Sequence, residues 1–168
     1  MNTMRTYQFS LNHYPNINQL VGNLIIDRVE LARNKELSLD FLPMPDTDLA
    51  LADAPLFFQV LTNLLANAVN YTPTGGSIWL QTETAVVNQQ RWVTVSVIDN
   101  GPGISDEDLP HIFERFYRGQ VGHESGASGT GLGLAICHEI MERHQGHISV
   151  ESIPGMGSKF TVWLKAYS

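Results

Sequence analysis

The chain has 168 residues, a net charge of −7 and only 10 Lys and Arg. That length suits one domain, and a hydrophobic content of 43% supports a real core and excludes the disordered class. No basic run appears anywhere, which excludes a nucleic-acid binder, because such a protein needs clustered cations to displace counterions.

The single cysteine, Cys137, excludes an internal disulfide framework and suits a reducing compartment. It falls in an amphipathic helical pattern and reads as a small buried apolar residue rather than a nucleophile. His138, His144 and His147 lack a Cys or acidic ligand pattern and read as solvated surface, not as a metal site. Neither a signal peptide nor an apolar run near the roughly 20 residues of a membrane helix is visible, so the chain reads as soluble as given.

Residues 1–16 are polar and irregular and read as a lead-in, with the folded domain over 17–168. From Ile17 to Asn34 apolar residues recur at three-to-four spacing and predict a helix. Leu37–Phe41 alternates and reads as a strand, and Leu49–Leu51 as another short one. A second helix runs from about Pro55 to Asn70, with Asp53 as N-cap and Pro55 in its first turn. Thr72-Pro73-Thr74-Gly75-Gly76 stops it. Strands follow over Ser77–Glu83 and Trp92–Ile98. Ser105 with Asp108 resembles a capping box opening a short helix to about Phe116. Glycines at 119, 122, 126 and 129 predict a mobile loop. A helix over Leu132–His144 ends before Gly146, and strands over His147–Ser152 and Lys159–Leu164 close the chain. Three main helices with five or six strands, hairpins among them, predict a two-layer α/β sandwich: a mixed, mostly antiparallel sheet with helices on one face. Strict strand–helix alternation is missing, which argues against a doubly wound dinucleotide fold.

Three motifs carry chemistry. On the second helix, Asn63, Asn67 and Asn70 fall in a narrow stripe at the edge of the apolar arc formed by Phe57, Val60, Leu61, Leu64 and Ala68. A half-buried amide needs partners. Either Asn67 offers its carbonyl oxygen to a Mg²⁺ that also touches nucleotide phosphates, or the amides simply bond neighbouring backbone. Next, Asp99-Asn100-Gly101-Pro102-Gly103-Ile104 follows a buried strand. Its glycines let backbone approach a flat ligand and its carboxylate can accept an exocyclic amine, or it is an ordinary tight turn. Last, Gly129-Thr130-Gly131-Leu132-Gly133-Leu134 opens a helix. Its amides and dipole suit an anion, although no Walker Lys follows, or it is a flexible hinge.

Taken together, Asn63-x-x-x-Asn67, Asp99-x-Gly101-x-Gly103, Phe113-Glu114-Arg115-Phe116 and Gly129-x-Gly131-x-Gly133 resemble the N, G1, F and G2 boxes of sensor histidine kinases in order and spacing. The match runs from about Leu20 to Leu164. The resemblance implies the Bergerat ATP-binding sandwich shared with type II topoisomerases and MutL. It implies that Asp99 binds the adenine amine with Gly101, Gly103 and Ile104 around it, that Tyr71 lies along the base, and that Asn67 holds Mg²⁺ with Asn63 beside it. Arg118 would approach the terminal phosphate, residues 119–128 would form the ATP lid, and Gly129, Thr130, Gly131, Leu132 and Gly133 would face the phosphates. Phe113 reads as core; Phe116 and Tyr117 are either core or a docking surface for the partner helical domain. Many relatives carry Lys or Arg where this chain has Asn70, so one phosphate contact is in doubt.

The resemblance also implies a nucleophilic histidine on a separate dimerisation domain placed just before this one, and a response regulator reached indirectly. It implies a monomeric, cytoplasmic domain of a kinase that in most relatives is anchored in a membrane. Neither His13-Tyr14-Pro15 nor His123-Glu124 resembles the phosphoacceptor signature, so the chain is expected to bind ATP without phosphorylating itself. Gyrase- or MutL-type ATPases use a glutamate where this chain has Asn63, and an amide cannot act as that base. A nucleotide-sensing pseudokinase module is the other alternative.

Overall fold

The computed structural model describes residues 13–119 and 131–167. Helix α1 spans Ile17–Asn34, and its N-cap Asn16 accepts the Gln19 N–H at 3.1 Å. Ile17, Val21 and Leu24 form its buried stripe. Helix α2 spans Ala54–Tyr71. Asp53 caps it by accepting the Leu56 N–H at 3.1 Å, and Pro55 lies in the first turn where a missing N–H costs nothing. Helix α3 spans Gly133–Arg143 and buries Cys137, Ile140 and Met141.

The strands are β1 (Ser38–Leu42), β2 (Ser77–Val87), β3 (Gln90–Asp99), β4 (His147–Ile153) and β5 (Gly157–Lys165). They form one sheet in the order β1-β2-β3-β5-β4. Only β1 and β2 run parallel; the remaining pairs are antiparallel. The alternating pattern of β3 places Val93, Val95 and Val97 on one face, opposite Leu164, Val162 and Phe160 of β5. These residues are buried together with Phe57, Leu61 and Leu64 of α2 and Cys137 and Met141 of α3, so the core lies between the sheet and the helices. The expected two-layer α/β sandwich is therefore present.

Several expected elements differ in extent. The strands β2 and β3 are longer than their apolar patterns suggest, because Asn88 and Gln89 both take positive φ (49° and 67°) and make a two-residue hairpin turn whose twist matches the strands. Leu49–Leu51 is not a strand: only Ala50 makes an isolated bridge, to Ala166. The helix expected from Ser105 to Phe116 is reduced to a single 3-10 turn at Leu109–His111. Ser105 Oγ accepts the Asp108 N–H at 3.2 Å in the turn that precedes it, and the 3-10 turn itself has no side-chain cap. Pro110 lacks an N–H and Phe116 turns left-handed at φ 64°, so no α-helix propagates.

His144, expected at the surface, is fully buried. It closes α3 through Nδ1 on the Ile140 carbonyl at 2.8 Å, and its Nε2 accepts the Asp53 N–H at 3.1 Å. His138 and His147 are exposed, as expected. Cys137 is buried, and burial pushes its thiol up to about 12, so no thiolate nucleophile exists at neutral pH.

Candidate nucleotide-binding site

A cleft of about 300 Å³ opens between α2, the segment after β3 and the N-terminus of α3. This volume falls at the lower end of small-molecule sites. Three stretches far apart in sequence build its walls.

The first wall is α2. Its apolar arc faces the core, which turns Asn63 and Asn67, one helical turn apart, to the boundary where they are half-buried and face the cleft. One turn earlier on the same helix, the Val60 carbonyl accepts the buried Cys137 thiol of α3 at 3.6 Å. Asn70 and Tyr71 line the same cleft, Asn70 exposed and Tyr71 half-buried.

The second wall is the turn after β3. The Asp99 carboxylate accepts the Gly101 N–H at 2.9 Å and a further backbone hydrogen bond from Ser158, directly across the β3–β5 pair. Burial raises the Asp99 carboxyl above its ordinary 3.8, and the two backbone bonds oppose that shift. Gly101 lies under this carboxylate rather than on the cleft surface: a Cβ there would stand 2.9 Å from Asp99 Oδ1 and 3.3 Å from the Tyr71 carbonyl oxygen. Gly103 takes φ 74°, and a Cβ would meet the Ile153 carbonyl oxygen at 2.3 Å. Gly103 and Ile104 line the cleft.

The third wall is the start of α3. Gly131 and Gly133 line the cleft, whereas Leu132 occupies the N-cap position and is not part of the lining. Leu132 supplies no side-chain cap, and the first N–H groups of a helix have no intrahelical acceptor. Arg118 lines the same cleft. Gly129, Thr130 and the expected lid over 120–128 lie outside the described residues.

Asn63, Asn67, Asn70, Tyr71, Asp99, Gly103, Ile104, Arg118, Gly131 and Gly133 are thus gathered on one surface. Sequence reasoning missed Ser158 and Phe160 as lining residues and saw Asp108 only as part of a cap. Ser158 has no local signal, since its place is set by strand register against Asp99. Phe113 packs edge-on against Phe160, with ring centroids 6.5 Å apart, and joins the core as expected; Phe116 is 72% exposed.

The donor set bears on what a metal could do here. Among the described residues no group of three or more His, Cys, Asp or Glu could hold a metal ion. The amide oxygens of Asn63 and Asn67 are hard, neutral and few, which fits a Mg²⁺ held chiefly by nucleotide phosphates and water rather than by a protein cage.

Comparison with known proteins bears on the family and the fold. The family model described as histidine kinase-, DNA gyrase B-, and HSP90-like ATPase matches residues 52–168. Sensor histidine kinase RppB from Synechocystis sp. is 34% identical over 152 residues, covering 90% of this chain and 33% of that protein. Sensor histidine kinase WalK from Bacillus subtilis is 38% identical over 144 residues, covering 84% of this chain and 23% of that protein. The chain therefore spans a third or less of the length of these relatives. Among solved structures, the catalytic domain of histidine kinase ThkA superposes with a TM-score of 0.77 at 28% identity, covering 95% of this chain and 99% of that domain. Full-length ShkA, solved in complex with AMPPNP, superposes with a TM-score of 0.77 at 25% identity over 93% of this chain and 32% of its own.

Proposed function

Because the chain belongs to the family of histidine kinase-, DNA gyrase B- and HSP90-like ATPases, we propose that it is the ATP-binding catalytic domain of a two-component sensor histidine kinase, holding Mg²⁺-ATP so that the γ-phosphoryl group passes to a histidine on a separate dimerisation domain. The observation that carries this reading is the convergence of Asn67, Asp99, Arg118 and Gly131 on one cleft.

Asp99 accepts the exocyclic amine of adenine, and its two backbone bonds fix the carboxylate for that contact. Tyr71 and Ile104 supply half-buried apolar surface for the base. The amide oxygens of Asn63 and Asn67 orient the metal–phosphate group. The chemistry Mg²⁺ supplies when bound is neutralisation of charge on the phosphate oxygens. Arg118 and the first-turn amides of α3 take up the remaining phosphate charge. Phosphoryl transfer needs positioning and charge neutralisation rather than covalent work, and these groups provide both.

Asn63 leaves no carboxylate base on α2 to activate water, which disfavours a hydrolytic ATPase. In the assembly we propose, residues 1–16 lead in from the dimerisation domain, a response regulator receives the phosphate from that domain, and the catalytic domain is a cytoplasmic monomer. Among the described residues no helix is long and apolar enough to cross a membrane. The test is incubation of this chain with labelled ATP and the helical domain of its own kinase: acid-labile phosphate appears on the helical domain and not on this chain. ATP binding without any transfer supports the alternative favoured by Asn70 in the cleft, a nucleotide-sensing module.

A further inference from the structure

We propose that Asp108 and Tyr117 are positioning residues for Arg118, fixing the chain beside it so that its guanidinium is held at the phosphate end of the cleft. The proposal rests on the reading of Arg118 as the γ-phosphate contact. The Tyr117 hydroxyl donates to Asp108 Oδ1 at 2.5 Å. The other oxygen of the same carboxylate lies against Gly119, where a Cβ would stand 2.7 Å from Asp108 Oδ2. The residue before Arg118 is therefore bonded to Asp108 through its side chain, and the residue after it packs so near the same carboxylate that a side chain there would collide with it.

Asp108 is itself fixed. Its N–H bonds Ser105 at the carbonyl oxygen (3.1 Å) and at Oγ (3.2 Å), and the adjoining Ile104 N–H donates to Ser152 Oγ at 2.8 Å. The preceding residue on the Arg118 side is tied as well: the Phe116 N–H donates to the Gly131 carbonyl at 2.9 Å. These bonds anchor the segment from Ile104 to Tyr117, which leads from the turn after Asp99 to the residue before Arg118. The hydroxyl of Tyr117 is raised from its ordinary 10.0, chiefly by the bond to Asp108, so it remains a donor at neutral pH. Arg118 has several rotatable bonds, and fixing its backbone reduces the freedom it loses on meeting a phosphate.

The test is calorimetric titration of the whole chain with ADP and with AMPPNP, both with saturating Mg²⁺, for wild type, Tyr117→Phe, Arg118→Ala and the double variant, with unfolding midpoints showing that each is folded. A charged contact to the γ-phosphate predicts that Arg118→Ala loses about tenfold in AMPPNP affinity and little in ADP affinity. Tyr117→Phe loses part of the same AMPPNP preference while leaving ADP binding unchanged. The double variant is no weaker than Arg118→Ala, because one residue acts through the other. Asp108→Asn keeps an acceptor oxygen for the hydroxyl and retains the preference. An unchanged preference in Tyr117→Phe, additive losses in the double variant, or loss in Asp108→Asn overturns the positioning role alone. An unchanged preference in Arg118→Ala overturns the assignment of Arg118, and the positioning role with it.

Discussion

His144 accepts the Asp53 backbone N–H at 3.1 Å and so joins the end of α3 to the cap of α2. Both helices line the cleft at their other ends, so this bond fixes how they pack on one another. Both residues are buried, and the imidazole is bonded at each ring nitrogen. Replacing it with alanine leaves a buried N–H without an acceptor and a cavity beside Phe57, whose ring centroid lies 6.4 Å away. His144→Ala is predicted to cost about 2–4 kcal/mol, read as a fall in the thermal midpoint of the apo chain.

Asp99 is predicted to show opposite effects on binding and on stability. Asp99→Asn weakens ATP binding by about tenfold to a hundredfold, since a hydrogen bond to a charged group is worth roughly 1.5–3 kcal/mol; titration calorimetry measures it. Because the folded carboxyl is raised above 3.8, its contribution to stability is fully present below 3.8 and is lost as pH rises through the folded value. The stability of wild type relative to Asp99→Asn therefore falls as pH rises through that window, measured by denaturant unfolding at several pH values.

Asn67→Ala is predicted to remove the enhancement of ATP affinity by Mg²⁺ while leaving metal-free binding within about twofold, because the amide acts through the metal–phosphate group and not on the base. Titrations with and without Mg²⁺ separate the two. Equal loss under both conditions contradicts the role given to Asn67.

Gly103→Ala is predicted to destabilise the chain by about 1–3 kcal/mol, the scale of a non-glycine residue forced into a sparsely populated conformation. The new methyl would also be driven into the Ile153 carbonyl oxygen. A midpoint within error of wild type in thermal unfolding contradicts this account of the turn.

Helix boundaries and most of the site were legible in sequence because their signals are local. Asp53 and Pro55 mark the start of α2, Thr72-Pro73 its end, and the asparagine spacing fixes which side chains share its edge. The amphipathic pattern around Cys137 likewise identified a buried thiol. What was not legible depends on distant partners. His144 looks like one of several polar residues in its segment until the Asp53 N–H is brought to it. Ser158 joins the site through strand register alone. At Ser105 the hydroxyl accepts the Asp108 N–H as a cap would, but the Asp108 carboxylate takes the distant Tyr117 hydroxyl, and Pro110 limits the segment to a 3-10 turn.

ATP binding as proposed requires groups distant along the chain to meet around one adenine nucleotide. Backbone amide NMR of the labelled chain during titration with Mg²⁺-ADP tests it most directly. The amides of Asn67, Asp99, Gly101 and Gly133 are expected to shift together and fit a single dissociation constant. Absence of any saturable shift, or shifts at only one of these stretches, contradicts it.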